Sequence, residues 1–362
     1  MPKTQIVGAG LAGMVAAIHL AREGDEVTIL EGHSGIGGMR HVHPSCHSTP
    51  IDVEAASRYT GIDLSSCFKP IRSFQVGVKD SLFSCQTDTL YCVERGNRPS
   101  ALDTYLYEEC LRHGVKVIFN TLIRDPYDLP PDSIIATGLH PEMFDAMGIP
   151  HETVYSFWMY AERNQEVFGS LKAEFEQLLV SYMDDYTNDY FYVTAMNNLW
   201  YALLFSRKPL SKSNLKDCIE KTRERLGVKL AGWRFLTGCV PTRSLQNPRL
   251  FMGDKILGGS ISGSMDPMFL FGIHGALLSG KIAAMAVRDP EGAEREFQRI
   301  NRNFARTLIG RRIYERNPFR NSIQRFLLRR FPKAMCRMSR HAFEGIPGYT
   351  ATQPMMRSIQ RI

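Results

Sequence analysis

A short run at 4–7, apolar at Ile6 and Val7, gives way to a glycine-rich stretch at 8–13, and apolar positions resume at 14–22. There Val15, Ile18 and Leu20 fall at helical spacing among the small Ala16, Ala17 and Ala21. A second apolar run covers 26–30 and closes on Glu31. Strand, tight turn, helix, strand is the order of a βαβ unit, whose crossover is right-handed and whose strands are parallel. Further along, the pattern predicts a helix over 101–113, strands at 115–119 and 133–136, a strand at 250–252 and a helix over 272–287. Between 142 and 232 it changes to aromatic-rich alternation, clearest at 190–205, which predicts an antiparallel sheet. The stretch 34–58, rich in Gly, His, Ser and Pro, reads as a functional loop.

Composition adds bounds to this picture. A chain of 362 residues with 44% hydrophobic content can bury a substantial core in one large domain or two interlocked ones. No window holds the roughly 18 to 20 apolar residues of a membrane span, and the chain enters a strand pattern directly after Met1-Pro2, so the expected compartment is the cytoplasm. The eight cysteines include no CxxC pair and no zinc spacing, which predicts reduced thiols used as small core residues. The net charge of +7 is uneven. Positions 299–362 hold 15 Lys/Arg against two acids, leaving 29 basic and 35 acidic residues elsewhere. In this tail Arg311, Arg312, Arg316, Arg320, Arg325, Arg329 and Arg330 interleave with Ile313, Tyr314, Phe319, Ile323, Phe326, Leu327 and Phe331. Such a basic amphipathic pattern suits an anionic membrane surface or a helix packed on the chain's own acidic body. No recognition motif accompanies it, so nucleic acid is not an expected partner.

The candidate chemistry begins with Gly8, Gly10 and Gly13, a GxGxxG that follows a strand, opens a helix and precedes Glu31 at the end of the next strand. The first glycine permits the tight turn, the second lets a pyrophosphate reach the backbone, and the third allows helix and strand to pack closely. The diphosphate then lies on the helix N-terminus at Leu11 and Ala12, and Glu31 can accept from ribose hydroxyls while repelling a 2′-phosphate.

Beyond the fingerprint, Glu31 to Gly37-Gly38-Met39-Arg40 resembles the extension of glutathione-reductase-type flavoproteins, with a Gly-Gly turn and a basic residue near the diphosphate. Arg95 with Leu102-Asp103 and Leu106 resembles the "R…fD..L" element of the p-hydroxybenzoate hydroxylase and geranylgeranyl reductase group. Gly253-Asp254, Asp266-Pro267, Gly272, Gly275-Ala276 and Ser279-Gly280 resemble that group's "GDAAG…P..G.G…A..SG..AA" motif, although the distance from Asp254 to Pro267 exceeds the usual one. Ala136-Thr137-Gly138 matches the "AtG" strand end of flavoproteins with two dinucleotide folds. The resemblance implies an α/β fold: a Rossmann-type FAD-binding domain on a parallel sheet (1–141 and 233–290), an interleaved antiparallel-sheet substrate domain (142–232) and a basic helical C-terminal region (291–362). It implies FAD held by Gly8, Gly10, Leu11, Ala12, Gly13, Glu31, Gly38, Met39, Arg40, Arg95, Gly138, Gly253, Asp254, Pro267 and Gly272, with no metal.

No second GxGxxG follows residue 13, so electrons must arrive transiently from NAD(P)H, from reduced ferredoxin or from the substrate. Phe157, Trp158, Tyr160, Tyr190, Phe191, Tyr192, Trp200 and Tyr201 could line an apolar pocket or fill a sheet core. Pocket, tail and resemblance together imply a reductase of carbon–carbon double bonds in a polyprenyl or lipid-like substrate, peripheral on the inner face of a membrane. Cys46 is the one candidate catalytic residue, near His41, His43 and His47. A flavin monooxygenase, an amine-oxidase-like dehydrogenase (Gly37 to Arg40 resembles that group's "GGR" turn) and a non-catalytic FAD-bound membrane or assembly protein stay open as alternatives.

Overall fold

The computed structural model describes residues 2–38, 43–162, 177–182, 191–197, 199–206, 209–226, 234–240, 248–267, 269–341 and 356–362. The βαβ pattern forms as expected. Strands β1 (Lys3–Val7) and β2 (Glu26–Leu30) pair in parallel, Val7 beside Leu30, with α1 (Leu11–Arg22) crossing between them.

Around this unit lies a six-stranded sheet in the order β13 (Phe251–Met252), β14 (Lys255–Leu257), β7 (Ile134–Ile135), β1, β2, β6 (Lys116–Ile118). All its pairings are parallel except the edge hairpin of β13 with β14. Its strands are apolar on both faces, because helices cover both. Ile6, Ile134 and Ile256 enter the main core with α1, α3 (Leu102–Arg112) and α6 (Ile273–Ala286). Their neighbours Val7, Ile135 and Leu257 point the other way, into a smaller cluster with Met143 and Phe144 of α4 (Pro141–Ala146). Helices α1 and α6 approach closely at Gly280, where a Cβ would stand 2.5 Å from the Ala12 carbonyl oxygen.

The second sheet runs β12 (Arg234–Val240), β8 (Glu152–Glu162), β11 (Leu199–Ser206), β10 (Phe191–Met196), β9 (Gln177–Tyr182), β4 (Phe68–Val78), β5 (Ser81–Arg95), β15 (Ser358–Arg361), with β3 (Ser45–Pro50) also on β5. It is antiparallel apart from β4 with β9. The sheet is therefore wider than the expected segment 142–232, taking strands from residues 45–95, from 234–240 and from the end of the chain. Long-range pairing is the reason. β3 has a polar sequence, Ser-Cys-His-Ser-Thr-Pro, and becomes a strand only because Leu90–Arg95 lies beside it, so the expected loop at 34–58 contains a strand and also α2 (Val53–Thr60). Helix α5 (Lys212–Leu226) follows β11. The basic C-terminal region forms α7 (Pro290–Arg316), α8 (Arg320–Arg330) and α9 (Pro332–His341), then returns to the sheet as β15. Among the described residues no helix is long and apolar enough to cross a membrane.

Candidate cofactor and substrate site

The first strand ends at Gly8, whose N–H donates to the Leu30 carbonyl at 2.8 Å and whose φ of +101° lies where side chains are disfavoured. A Cβ there would meet the Ala136 carbonyl oxygen at 2.6 Å, and one at Gly13 would run into the Gly8 carbonyl itself. Those two glycines are demanded by the protein's own packing. Gly10 is different: a Cβ would find only Ala136 O, at 3.9 Å, so the space beside it is open. It is the N-cap of α1, offers no side-chain cap, and no acid lies in the first turn of Leu11 and Ala12. Open space over an uncapped helix N-terminus is where an anion gains most from backbone N–H groups and the helix dipole.

Glu31 is buried beside this turn. Its Oε2 accepts from Ala9 N–H at 2.7 Å, and its Oε1 accepts from His33 N–H at 2.9 Å and lies 2.8 Å from His33 Nδ1. The carboxylate is thus oriented by the turn, with lone pairs left for a ribose. Gly37 and Gly38 follow in left-handed conformations, and a Cβ on Gly37 would strike Gly96. Met39 and Arg40 lie outside the described residues, as does His41. Through Gly96 the Gly-Gly turn meets the Arg95 element, which the structure brings to the same place. Arg95 grips the buried Asp103 with two hydrogen bonds, Nε to Oδ2 at 2.7 Å and Nη2 to Oδ1 at 2.9 Å, and Gly96 N–H adds a third at 3.0 Å. Burial alone would raise the Asp103 carboxyl, but the guanidinium and the hydrogen bonds outweigh it and hold the group below the usual carboxylate range. Gly138 stands just past β7 at φ +68°, and Thr137 Oγ1 beside it is buried without a hydrogen-bond partner.

Gly253 and Asp254 are placed elsewhere. They form the tight turn between β13 and β14, before the parallel strand begins, where the Asp254 carbonyl accepts from Asp132 N–H at 2.8 Å ahead of β7. That is the opposite end of the sheet from Gly8 and Gly138. The half-exposed Asp254 carboxylate is occupied by the buried Lys255 ammonium at 2.8 Å, which also donates to the Leu129 carbonyl at 3.1 Å. The backbone that reaches the nucleotide turn is instead Gly258-Gly259-Ser260, directly after β14: Gly258 N–H donates to Ile135 O at 2.9 Å, and both glycines face the Ala12 methyl. The long distance from Asp254 to Pro267 was the available signal, since counting back from Pro267 leads to Gly259-Ser260 and not to Gly253-Asp254.

From Pro267 the chain passes Leu270, at φ +60°, to Gly272, the N-cap of α6. Residues Phe269 to Ile273 form one wall of a cavity of about 510 Å³. The second sheet contributes His47, Phe74, Leu90 and Tyr192, while the C-terminal helices close it with Ile313, Tyr314, Ile323, Leu327 and Met335 among others. Polar groups are few and connected. The line His43 Nδ1, Ser45 Oγ, His47 Nε2 runs in steps of 2.8 Å, and His47 Nδ1 lies 3.2 Å from the Tyr192 hydroxyl. Burial, reinforced by the charges of Arg95 and His43, pushes the His47 imidazole down to about 3, so it is neutral at physiological pH. Tyr201 packs against both, its ring 5.3 Å from His47 and 5.9 Å from Tyr192.

Cys46 does not share this cavity. Strand alternation turns it to the opposite face of β3 from His47, into the main core, with its Sγ 3.8 and 3.7 Å from the Met196 and Leu199 carbonyls. Burial pushes the thiol well up, which leaves it protonated and inert. The seven cysteines with described side chains are all buried and form no disulfide, as expected of core residues. Of the aromatic set, Tyr192 lines the cavity, Phe191 and Trp200 are buried elsewhere, and the side chains of Phe157, Trp158, Tyr160 and Tyr190 lie outside the described residues.

Residues 6–55 match the NAD(P)-binding Rossmann-like domain. That match covers the βαβ unit of β1, α1 and β2. It is 46% identical over 61 residues to lysine-specific histone demethylase 1 homolog 3 of Arabidopsis thaliana, covering 17% of this chain and 4% of that protein. It is also 46% identical over 52 residues to hydroxyneurosporene desaturase of Cereibacter sphaeroides, covering 14% and 10%. The likeness thus spans a small part of these relatives. Solved structures extend the similarity to the whole fold. A geranylgeranyl bacteriochlorophyll reductase-like protein of Thermoplasma acidophilum superposes with a TM-score of 0.66 at 15% identity over 87% of each chain. For 2-methyl-3-hydroxypyridine-5-carboxylic acid oxygenase the TM-score is 0.61 at 15% identity, over 88% of this chain and 94% of that one. For CtdE, solved with FAD and a substrate, it is 0.60 at 15% identity over 87% and 89%. The parallel sheet and the second sheet therefore share the fold of these solved structures, of which CtdE was solved with FAD.

Proposed function

We propose that this chain is an FAD-dependent oxidoreductase that reduces carbon–carbon double bonds of a hydrophobic, polyprenyl or lipid-like substrate. The observation that carries this reading is the apolar cavity: it begins at the Phe269–Ile273 wall, beside the α6 N-cap, and runs between the second sheet and the C-terminal helices. The residues present fit the cofactor. Open space at Gly10, the oriented carboxylate of Glu31, the unpartnered Thr137 hydroxyl and the Gly258-Gly259 backbone all face one end of the parallel sheet. Gly8, Gly10, Leu11, Ala12, Gly13 and Glu31 would hold the adenosine and diphosphate, Gly38, Arg95 and Gly138 would border it, and Pro267 and Gly272 would lie nearest the ring.

When bound and reduced, FAD supplies a hydride from its N5. The chain's own part is to bind an alkene among apolar walls, keep water away and bring a proton. Tyr192, hydrogen-bonded through His47 and Ser45 to His43, holds a proton at the cavity wall and draws its replacement along that line. The two electrons that such a reduction consumes would come from NAD(P)H or, one at a time, from two molecules of reduced ferredoxin. The resemblance in fold to a geranylgeranyl bacteriochlorophyll reductase-like protein supports the substrate class.

The test is anaerobic: purified protein is loaded with FAD, reduced with NADPH, NADH, reduced ferredoxin or dithionite, and mixed with polyprenyl substrates while the flavin spectrum is followed. Reoxidation with formation of the saturated product is the expected result. Indifference to alkenes with fast reoxidation by oxygen and hydroxylated product would replace it with a monooxygenase, and flavin that no substrate reoxidises would replace it with a non-catalytic role.

A further inference from the structure

Of the twelve large hydrophobic side chains exposed among the described residues, seven gather in one region. Ile309, Ile313, Phe319, Ile323, Phe326, Phe331 and Met338 all belong to the C-terminal helices or the turns between them, with exposures from 43% to 68%. Phe319, Ile323 and Phe326 follow at intervals of four and three, one stripe along α8, and Ile309 and Ile313 form a similar pair on α7. Soluble surfaces rarely gather apolar groups in this way unless something covers them.

Cations frame the stripe. Arg312, Arg316, Arg329, Arg330, Lys333 and Arg337 are exposed, whereas the nearby acid Glu315 is already bound to Arg311. A net positive face carrying aromatic and aliphatic side chains matches an anionic bilayer, whose headgroups take the arginines and whose acyl boundary takes Phe and Ile. It fits nucleic acid poorly, because phosphates offer nothing to Phe319, Ile323 and Phe326.

The patch is also continuous with the cavity. Ile313, Ile323 and Met338 are exposed and also line the cavity, so the cavity borders the stripe. We propose that α7 to α9 dock this protein on an anionic membrane surface with that side of the cavity facing the lipid, so that a lipid-like substrate enters without crossing water. The entry route rests on the function proposed above; the docking does not.

The experiment uses the full chain and sedimentation with large vesicles of phosphatidylcholine alone or with 30% phosphatidylglycerol. Binding to the anionic vesicles and little to the neutral ones is the expected result. Arg329→Gln with Arg330→Gln should weaken it by roughly thirtyfold, at about fivefold per charge removed. Phe319→Ser with Phe326→Ser should also release the protein, and since both side chains are exposed, flavin content and melting temperature should stay unchanged. Absence of binding at physiological salt would overturn the proposal, as would binding abolished by salt yet indifferent to the two Phe changes. A self-associated species in light scattering that the Phe changes convert to monomer, without vesicle binding, would assign the patch to a second copy instead. Flavin content and dithionite reduction report separately on the cofactor reading, so either can fail alone.

Discussion

The two sheets build their share of the site by opposite means. On the parallel sheet the site is backbone: Gly8, Gly10, Gly138 and Gly258 bring main-chain groups to one strand end, and Gly8 and the nearby Gly13 are fixed by contacts within the protein. On the antiparallel sheet it is side chains: His47 and Tyr192 stand out from neighbouring strands into apolar space. Backbone sites tolerate almost no substitution and recognise what all dinucleotides share. Side-chain sites can be refilled strand by strand, which is how one architecture accommodates the different activities named for its structural neighbours.

The sharpest way to break this contrast is at the nucleotide turn. Gly13→Val should abolish flavin content and cost stability, by roughly 1 to 3 kcal/mol or more, because its side chain must displace the Gly8 carbonyl. Gly10→Ala should also lose flavin yet keep the melting temperature, since its methyl enters open space; a parallel loss of both would mean that Gly10 serves the fold alone.

Next in size is Arg95→Ala, which strands the buried Asp103 carboxylate at a cost of about 3 to 5 kcal/mol in denaturant titration. Because the folded-state pKa of Asp103 lies below its unfolded value, the stabilisation is fully present above the ordinary carboxylate range and fades as acid is added. Arg95→Ala should therefore flatten the acid limb of the stability curve; an unchanged limb would assign the acid sensitivity to other groups.

On the side-chain half, Tyr192→Phe should reduce alkene turnover by roughly 10² to 10⁴-fold with little change in KM, the range of a lost general acid. Equal losses in product formation and in flavin content would point to packing instead. His47→Gln has a signature of its own. With the folded imidazole at about 3 and the free one at 6.5, the unfolded chain binds the extra proton between these values, so stability falls as pH drops from 6.5 toward 3. The variant should show a shallower fall in melting temperature over that window, and His19, held down to about 4 chiefly by its own burial, should account for part of what remains. Smallest of all is Asp254→Asn, which should leave flavin content and spectrum unchanged because the residue sits at the far end of the sheet. A loss of flavin there would restore Asp254 to the site.

Local pattern carried the nucleotide half. β1, α1, β2 and Glu31 lie where hydrophobic periodicity and glycine spacing put them, since a βαβ unit is built from neighbours in sequence. Arg95 and Asp103 were legible for the same reason, being eight residues apart. Asp254 was misplaced because Gly-Asp after an apolar run describes a hairpin turn as well as a strand end, and only the pairing of β14 with β7 distinguishes them.

By itself, then, the amino-acid order determined a parallel nucleotide-binding unit, a basic amphipathic end and an aromatic region between. Tertiary structure alone decided which of Cys46 and His47 meets the cavity, that Gly258-Gly259 and not Gly253-Asp254 lies at the Gly8 end of the sheet, and that the C-terminal helices form the cavity's outer wall. The physical reason is the range of the interactions: turns and helices are set by contacts a few residues apart, whereas strand register and burial depend on segments that fold together from 100 or more residues away, as Cys46 and Met196 do across a separation of 150.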